Sequence, residues 1–124
     1  MSEFVIAPLE EPPWRVAAEK FAVLLRERWP GVRVGTSVEG SSMALEALIP
    51  LGPGQPELEI ALSGTGQAVT LDAADAESAS EFAVWFVETM LPGESGAHLM
   101  ELGAMRAVEV AAGLDADEVR RRLG

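Results

Sequence analysis

The chain carries a single imidazole, His98, and it is the only side chain whose unperturbed titration lies near neutrality, which makes it the obvious general-base candidate. Glu94 and Glu101 are near enough in sequence to orient its ring. Hydrolysis also needs a nucleophile or a metal, and no serine here sits in a Gly-x-Ser-x-Gly elbow, so a structural histidine is the expectation. Ser63-Gly64-Thr65-Gly66 has the composition of a loop that cradles phosphate, but it lacks a lysine and its flanks read as strands. It is expected to be a hairpin turn. Glu57 and Glu59 share one side of an alternating segment, and Glu46 and Asp72 can join them from neighbouring strands. Paired carboxylates hydrolyse glycosides or hold Mg2+ or Ca2+, yet catalysis requires one of them to be desolvated, which an open sheet face does not provide. The expectation is therefore a protein without catalytic activity, metal or cofactor. Like charges on adjacent strands cost stability unless something offsets them, and a basic partner would do so.

The charge distribution points the same way. The 124 residues include 20 acidic and 9 basic side chains, for a formal net charge of -11. No Lys or Arg occurs in the 72 residues from Val34 to Met105, although eleven acidic residues lie there, from Glu39 to Glu101. The two ends together hold nine acids and nine bases, so all the net charge belongs to the middle of the chain. Such a field repels phosphate backbones and anionic membranes and attracts basic proteins. Neither nucleic acid nor membrane is an expected partner. The absence of cysteine excludes disulfides, thiolate nucleophiles and Cys-based metal sites. Residues 1–11 contain three Glu and no base, unlike a secretory signal, and the longest compact apolar run, residues 82–87, is far shorter than the roughly 20 residues of a membrane helix. A cytoplasmic location is expected. Arg outnumbers Lys eight to one and Asn and Tyr are absent, as coding by a GC-rich bacterial genome would produce; codon bias does not explain where the charges fall.

These residues have to be placed by elements that the periodicity makes legible. The 48% apolar content and the length suit one α+β domain over residues 1–124. Residues 4–7 read as a short first strand. Pro12 and Pro13 suit a helix start, and Trp14, Ala17, Phe21, Leu24 and Leu25 recur at helical spacing until Trp29-Pro30-Gly31. Strand candidates follow at 32–38, 43–50, 57–62 and 67–72, separated by turns too short for parallel pairing, so an antiparallel meander is expected. Asp75 or Ser78 can cap a second helix, ended by Leu91-Pro92-Gly93, whose main apolar stripe is Ala79, Phe82, Ala83, Phe86 and Met90. Weak strands are expected at 97–101 and 106–110. Asp115, followed three residues on by Glu118, opens a short final helix, with Leu114 and Val119 as its hydrophobic staple. Arg120, Arg121 and Arg122 then fall at the negative end of its dipole. The expected architecture is an antiparallel sheet of five or six strands with two main helices on one face, a short C-terminal helix, and a largely wet second face.

Trp85 lies off the main stripe of the second helix, on a flank shared with Glu81 and Glu88. Buried, it would be covered by the C-terminal segment; exposed, it would be an interface anchor, since Trp is enriched at binding hot spots. Trp14 and Trp29 read as core or boundary packing. The order of a first helix closing with LRERWPG (residues 25–31), a strand meander, a helix FAVWFVETMLP (82–92), a strand pair and a short capped helix resembles the layout of small acidic immunity-type proteins of bacterial polymorphic toxin systems. That resemblance implies an immunity or antitoxin protein that occludes a cationic toxin or effector, with charge accelerating association. The partner-binding candidates are Glu46, Glu57, Glu59, Asp72, Glu81, Trp85 and Glu88. An alternative is a homo-oligomeric accessory or structural subunit, possible as a homodimer, in which Val84, Trp85 and Leu48 form a self-interface. A third reading is an enzyme using His98 or the carboxylate face.

Overall fold

A computed structural model describes residues 2–8, 16–36, 43–50, 52, 54, 57–64, 66–90, 97–103, 105–110 and 115–123. The Pro12–Pro13 helix start, Trp14, Glu39, Glu94, the Leu91-Pro92-Gly93 stop and the staple residue Leu114 lie outside them. In chain order the elements are β1 (Ser2–Pro8), α1 (Ala18–Arg28), β2 (Arg33–Thr36), β3 (Met43–Ile49), β4 (Leu58–Ser63), β5 (Val69–Ala74), α2 (Ala76–Met90), β6 (Ala97–Glu101), β7 (Arg106–Glu109) and α3 (Ala116–Leu123). The architecture is α+β, with one seven-stranded sheet in the order β2-β3-β4-β5-β1-β6-β7 and every neighbouring pair antiparallel.

The sheet has one or two strands more than the sequence suggests, because β1 inserts between β5 and β6 and joins the meander to the C-terminal hairpin. The register carries the reason for one-sided burial. Directly opposed residues in an antiparallel pair share a face. Phe4 opposes Leu71, Ile6 opposes Val69 and Leu99, Leu45 opposes Leu62, Ala47 opposes Ile60, and Ile49 opposes Leu58; all are buried. Phe21 and Leu25 of α1, Phe82 and Phe86 of α2, and Val119 and Leu123 of α3 complete the same core. α1 packs on β3, α2 on β1, β5 and β6, and α3 on α2 and β7, so all three helices lie on one face of the sheet.

Local chemistry sets the boundaries. β5 begins two residues later than the alternation suggests, because the amides of Gln67 and Ala68 donate to the Ser63 hydroxyl (3.3 and 3.1 Å) and are held in the turn. Gly66 has φ 74°, a conformation that costs a side-chain-bearing residue roughly 1–2 kcal/mol, and its N–H donates to the Ser63 carbonyl at 2.9 Å. The Gly-rich segment is therefore a hairpin turn. α1 begins at Ala18, later than the prolines suggest. Ala17 is still extended (φ -80°, ψ 129°), and the Val16 N–H is tied to the Gly66 carbonyl (2.8 Å), which fixes the approach to the helix on the β4–β5 turn. Asp75 caps α2 through the Ser78 amide and hydroxyl, both 2.7 Å from its Oδ1. Asp115 caps α3 through the Glu118 amide at 2.8 Å. No described helix is long and apolar enough to cross a membrane.

Candidate functional site

Alternation that buries one face of the sheet delivers the acidic residues of β3, β4 and β5 to the other. Across that face the register runs Arg33–Leu48–Glu59–Asp72 in one row and Gly35–Glu46–Ala61–Thr70–Val5–Met100–Ala107 in the next. Glu46, Glu59 and Asp72 are exposed there, and none of the three helices covers them. Together with Arg33, Leu48, Ala61 and Thr70 they line a concavity of about 410 Å³. Glu59 is the centre of the group: it opposes Asp72 directly and lies diagonal to Glu46, which sits two residues before its other partner, Leu48.

Arg33 tempers this charge at one side. Its Nη2 donates to both carboxylate oxygens of Glu57, at 2.7 and 2.8 Å, so Glu57 is neutralised at the rim and adds little to the field. This arginine comes from the N-terminal part of the chain. The other described ion pairs, Arg121 and Arg122 on Glu118, belong to α3 and reach neither Glu46 nor Glu59. The central carboxylates are thus gathered in part. Three share the concavity, Glu57 is paired, Asp75 is used as a helix cap, and Glu77, Glu81 and Glu88 stand exposed on α2, in the helical layer.

Trp85 is half-buried, and what covers it differs from expectation. Its ring lies 6.4 Å from Phe21, 4.9 Å from Trp29 and 5.6 Å from Phe82, so the end of α1, rather than the C-terminal segment, packs on it. α3 is packed elsewhere on α2. The structure therefore divides the seven candidates between opposite sides of the sheet, with Glu46, Glu57, Glu59 and Asp72 on one and Glu81, Trp85 and Glu88 in the helical layer on the other. A single partner surface cannot lie flat on both. Trp29 is also half-buried, with Phe82 stacked 5.8 Å away and the Arg28 guanidinium 4.8 Å from its ring, as boundary packing requires.

His98 projects from β6 on the open face, opposite Ala7 on one side and Glu109 on the other. Its Nδ1 is buried and has no hydrogen-bond partner among the described residues. Glu101, three residues along the strand, falls on the opposite face from the ring and so does not orient it. Among the described residues, no group of three or more His, Asp or Glu is arranged to hold a metal ion. Exposed carboxylates lack the desolvation that tunes a general acid, and what they do together is attract positive charge.

Sequence reasoning missed one feature of this face. It is less wet than expected, since Val5, Ala7, Leu48, Ala61, Thr70, His98 and Met100 are all half-buried on it. The signal was present in the apolar residues at both parities of β1 and β6, a pattern seen where both faces of a strand are to be covered. No known protein family, curated protein or solved structure matches this chain.

Proposed function

We propose that this chain is a non-enzymatic binding protein that docks a cationic partner protein on the open face of its sheet, as an immunity- or antitoxin-type protein does when it occludes a toxin or effector. The observation that carries the reading is the convergence of Glu46, Glu59 and Asp72 on one concavity that none of the described helices covers, in a chain whose formal net charge is -11. Carboxylates held close together on neighbouring strands repel one another, and a partner bearing Lys or Arg converts that repulsion into attraction. The docking residues are the sheet-face set, with Glu57 at the rim; Glu81 and Glu88 act at a distance, by adding to the field that steers association.

The test compares the wild-type chain with the triple variant Glu46→Gln, Glu59→Gln, Asp72→Asn as bait in native cell extract at 50 mM and 500 mM salt. The expected result is a basic protein retained by the wild type at low salt, weakened at high salt and lost with the triple variant. Capture of the same proteins by both baits would refute the reading.

A further inference from the structure

The chain contains five methionines and no cysteine, so every oxidisable sulfur in it is a thioether. Three of them stand in contrasting surroundings. Met90 closes the buried stripe of α2 and is 9% exposed, packed with the core. Met100 is half-buried on the open face of β6, between Val5 and Ala107. Met105, the residue before β7, is 93% exposed and buries almost nothing. Its backbone is left-handed, at φ 52°, a conformation that few residues other than glycine adopt. The turn that holds it there is tied to β1, since the Leu102 N–H donates to the Glu3 carbonyl at 3.0 Å and the Met105 N–H donates to the Leu102 carbonyl at 3.4 Å. A hydrophobic side chain placed this way contributes neither packing nor backbone ease to the fold. What it presents to solvent is an unshielded sulfur.

We propose that Met105 is the site at which this chain is reversibly oxidised by hydrogen peroxide. A sulfur lone pair forms the S–O bond as the O–O bond breaks, the proton of the transferred oxygen passes to the departing one, and water leaves; the sulfur loses two electrons and the peroxide gains them. The reaction needs the oxidant at the sulfur lone pairs, so its rate follows exposure. Met105 meets peroxide in the folded state, Met100 from one side, and Met90 when α2 opens from the core. The product is a polar sulfoxide. On Met105 it stays in water and costs the fold nothing, whereas the same oxygen on Met90 would be buried without a partner. A methionine sulfoxide reductase returns the thioether. The proposal stands apart from cationic docking, because Met105 lies at the β6–β7 turn and does not line the acidic concavity.

Timed exposure of the intact chain to hydrogen peroxide, followed by cleavage after glutamate and mass spectrometry, separates the sites. Met90, Met100 and Met105 fall in different peptides, 89–94, 95–101 and 102–109. Met105 is expected to gain oxygen about tenfold faster than Met90 and about threefold faster than Met100. In concentrated urea the three rates should converge, which ascribes the difference to the fold. Met105→Leu should abolish the fastest phase of peroxide consumption. Wild-type chain oxidised at Met105 should keep its urea midpoint and lose the oxygen to a methionine sulfoxide reductase. Oxidation of Met90 or Met100 as fast as Met105, or a rank order that persists in urea, would overturn the proposal. So would a fall in the urea midpoint when Met105 alone is oxidised, or a sulfoxide there that the reductase does not remove.

Discussion

Glu59 sits where the proposed docking face is most strained, and its replacement by Gln should make the protein more stable. The substitution keeps the shape and removes one charge. Glu59 opposes Asp72 and is diagonal to Glu46, while Arg33 lies two strands away across Leu48. With charges about 6 Å and about 7.5 Å apart in a water-like dielectric, and screening at 10 mM salt, the two repulsions amount to about 1 kcal/mol. Arg33, about 10 Å away, is paired with Glu57, two residues before Glu59, so its attraction and that carboxylate's repulsion largely cancel at Glu59. Glu59→Gln should therefore stabilise the fold by about 1 kcal/mol at 10 mM salt, falling to about 0.1 kcal/mol at 1 M as the screening length shrinks to about 3 Å. Urea denaturation followed by circular dichroism, at both salt concentrations, measures the difference without adding denaturant ions. The thermal midpoint should rise by about 3 °C at low salt. A loss of stability, or a gain that does not respond to salt, would show that the three carboxylates do not share one field and would remove the electrostatic basis of the docking surface.

Two further outcomes follow from the helical layer. Asp75→Ala removes the oxygen that accepts the Ser78 amide and hydroxyl, and should cost about 1 kcal/mol in urea denaturation at pH 7. The Ser78 hydroxyl first, and the Ser78 amide next, hold the Asp75 carboxyl below its ordinary value of 3.8. Its folded-state pKa is thus depressed, so its contribution is present above the unfolded value and disappears as pH falls through the folded one. The gap between wild type and variant should therefore be constant near neutrality and close below about pH 4; a gap that persists undiminished at pH 2 would contradict the cap. Trp85→Ala removes ring contacts to Phe21, Trp29 and Phe82, and should destabilise by roughly 2–3 kcal/mol, below the range for a full core position because the ring is half-buried. Partner capture by the folded fraction should be unchanged; its abolition would return Trp85 to the interface.

The elements themselves were legible because their causes are local. Alternation in Leu58, Ile60 and Leu62, the stripe of Phe82, Phe86 and Met90, and the side-chain caps Asp75 and Asp115 each act within a few residues, and each is realised. The hairpin turn at Ser63 is likewise a matter of one hydroxyl, one glycine and the amides beside them. The boundaries that moved did so through contacts at longer range, as with the Val16 N–H held by Gly66 some fifty residues later.

The sequence by itself determined that Glu46, Glu59 and Asp72 would point away from the core, since a strand that buries every second residue must expose the others. It could not determine which strands adjoin. Only the tertiary structure brought the three carboxylates into neighbouring rows, placed Arg33 against Glu57, put β1 between β5 and β6, and turned Trp85 toward α1. Strand order and helix placement depend on how distant apolar surfaces fit when buried together, and hydrophobic burial has no direction that a single segment can encode.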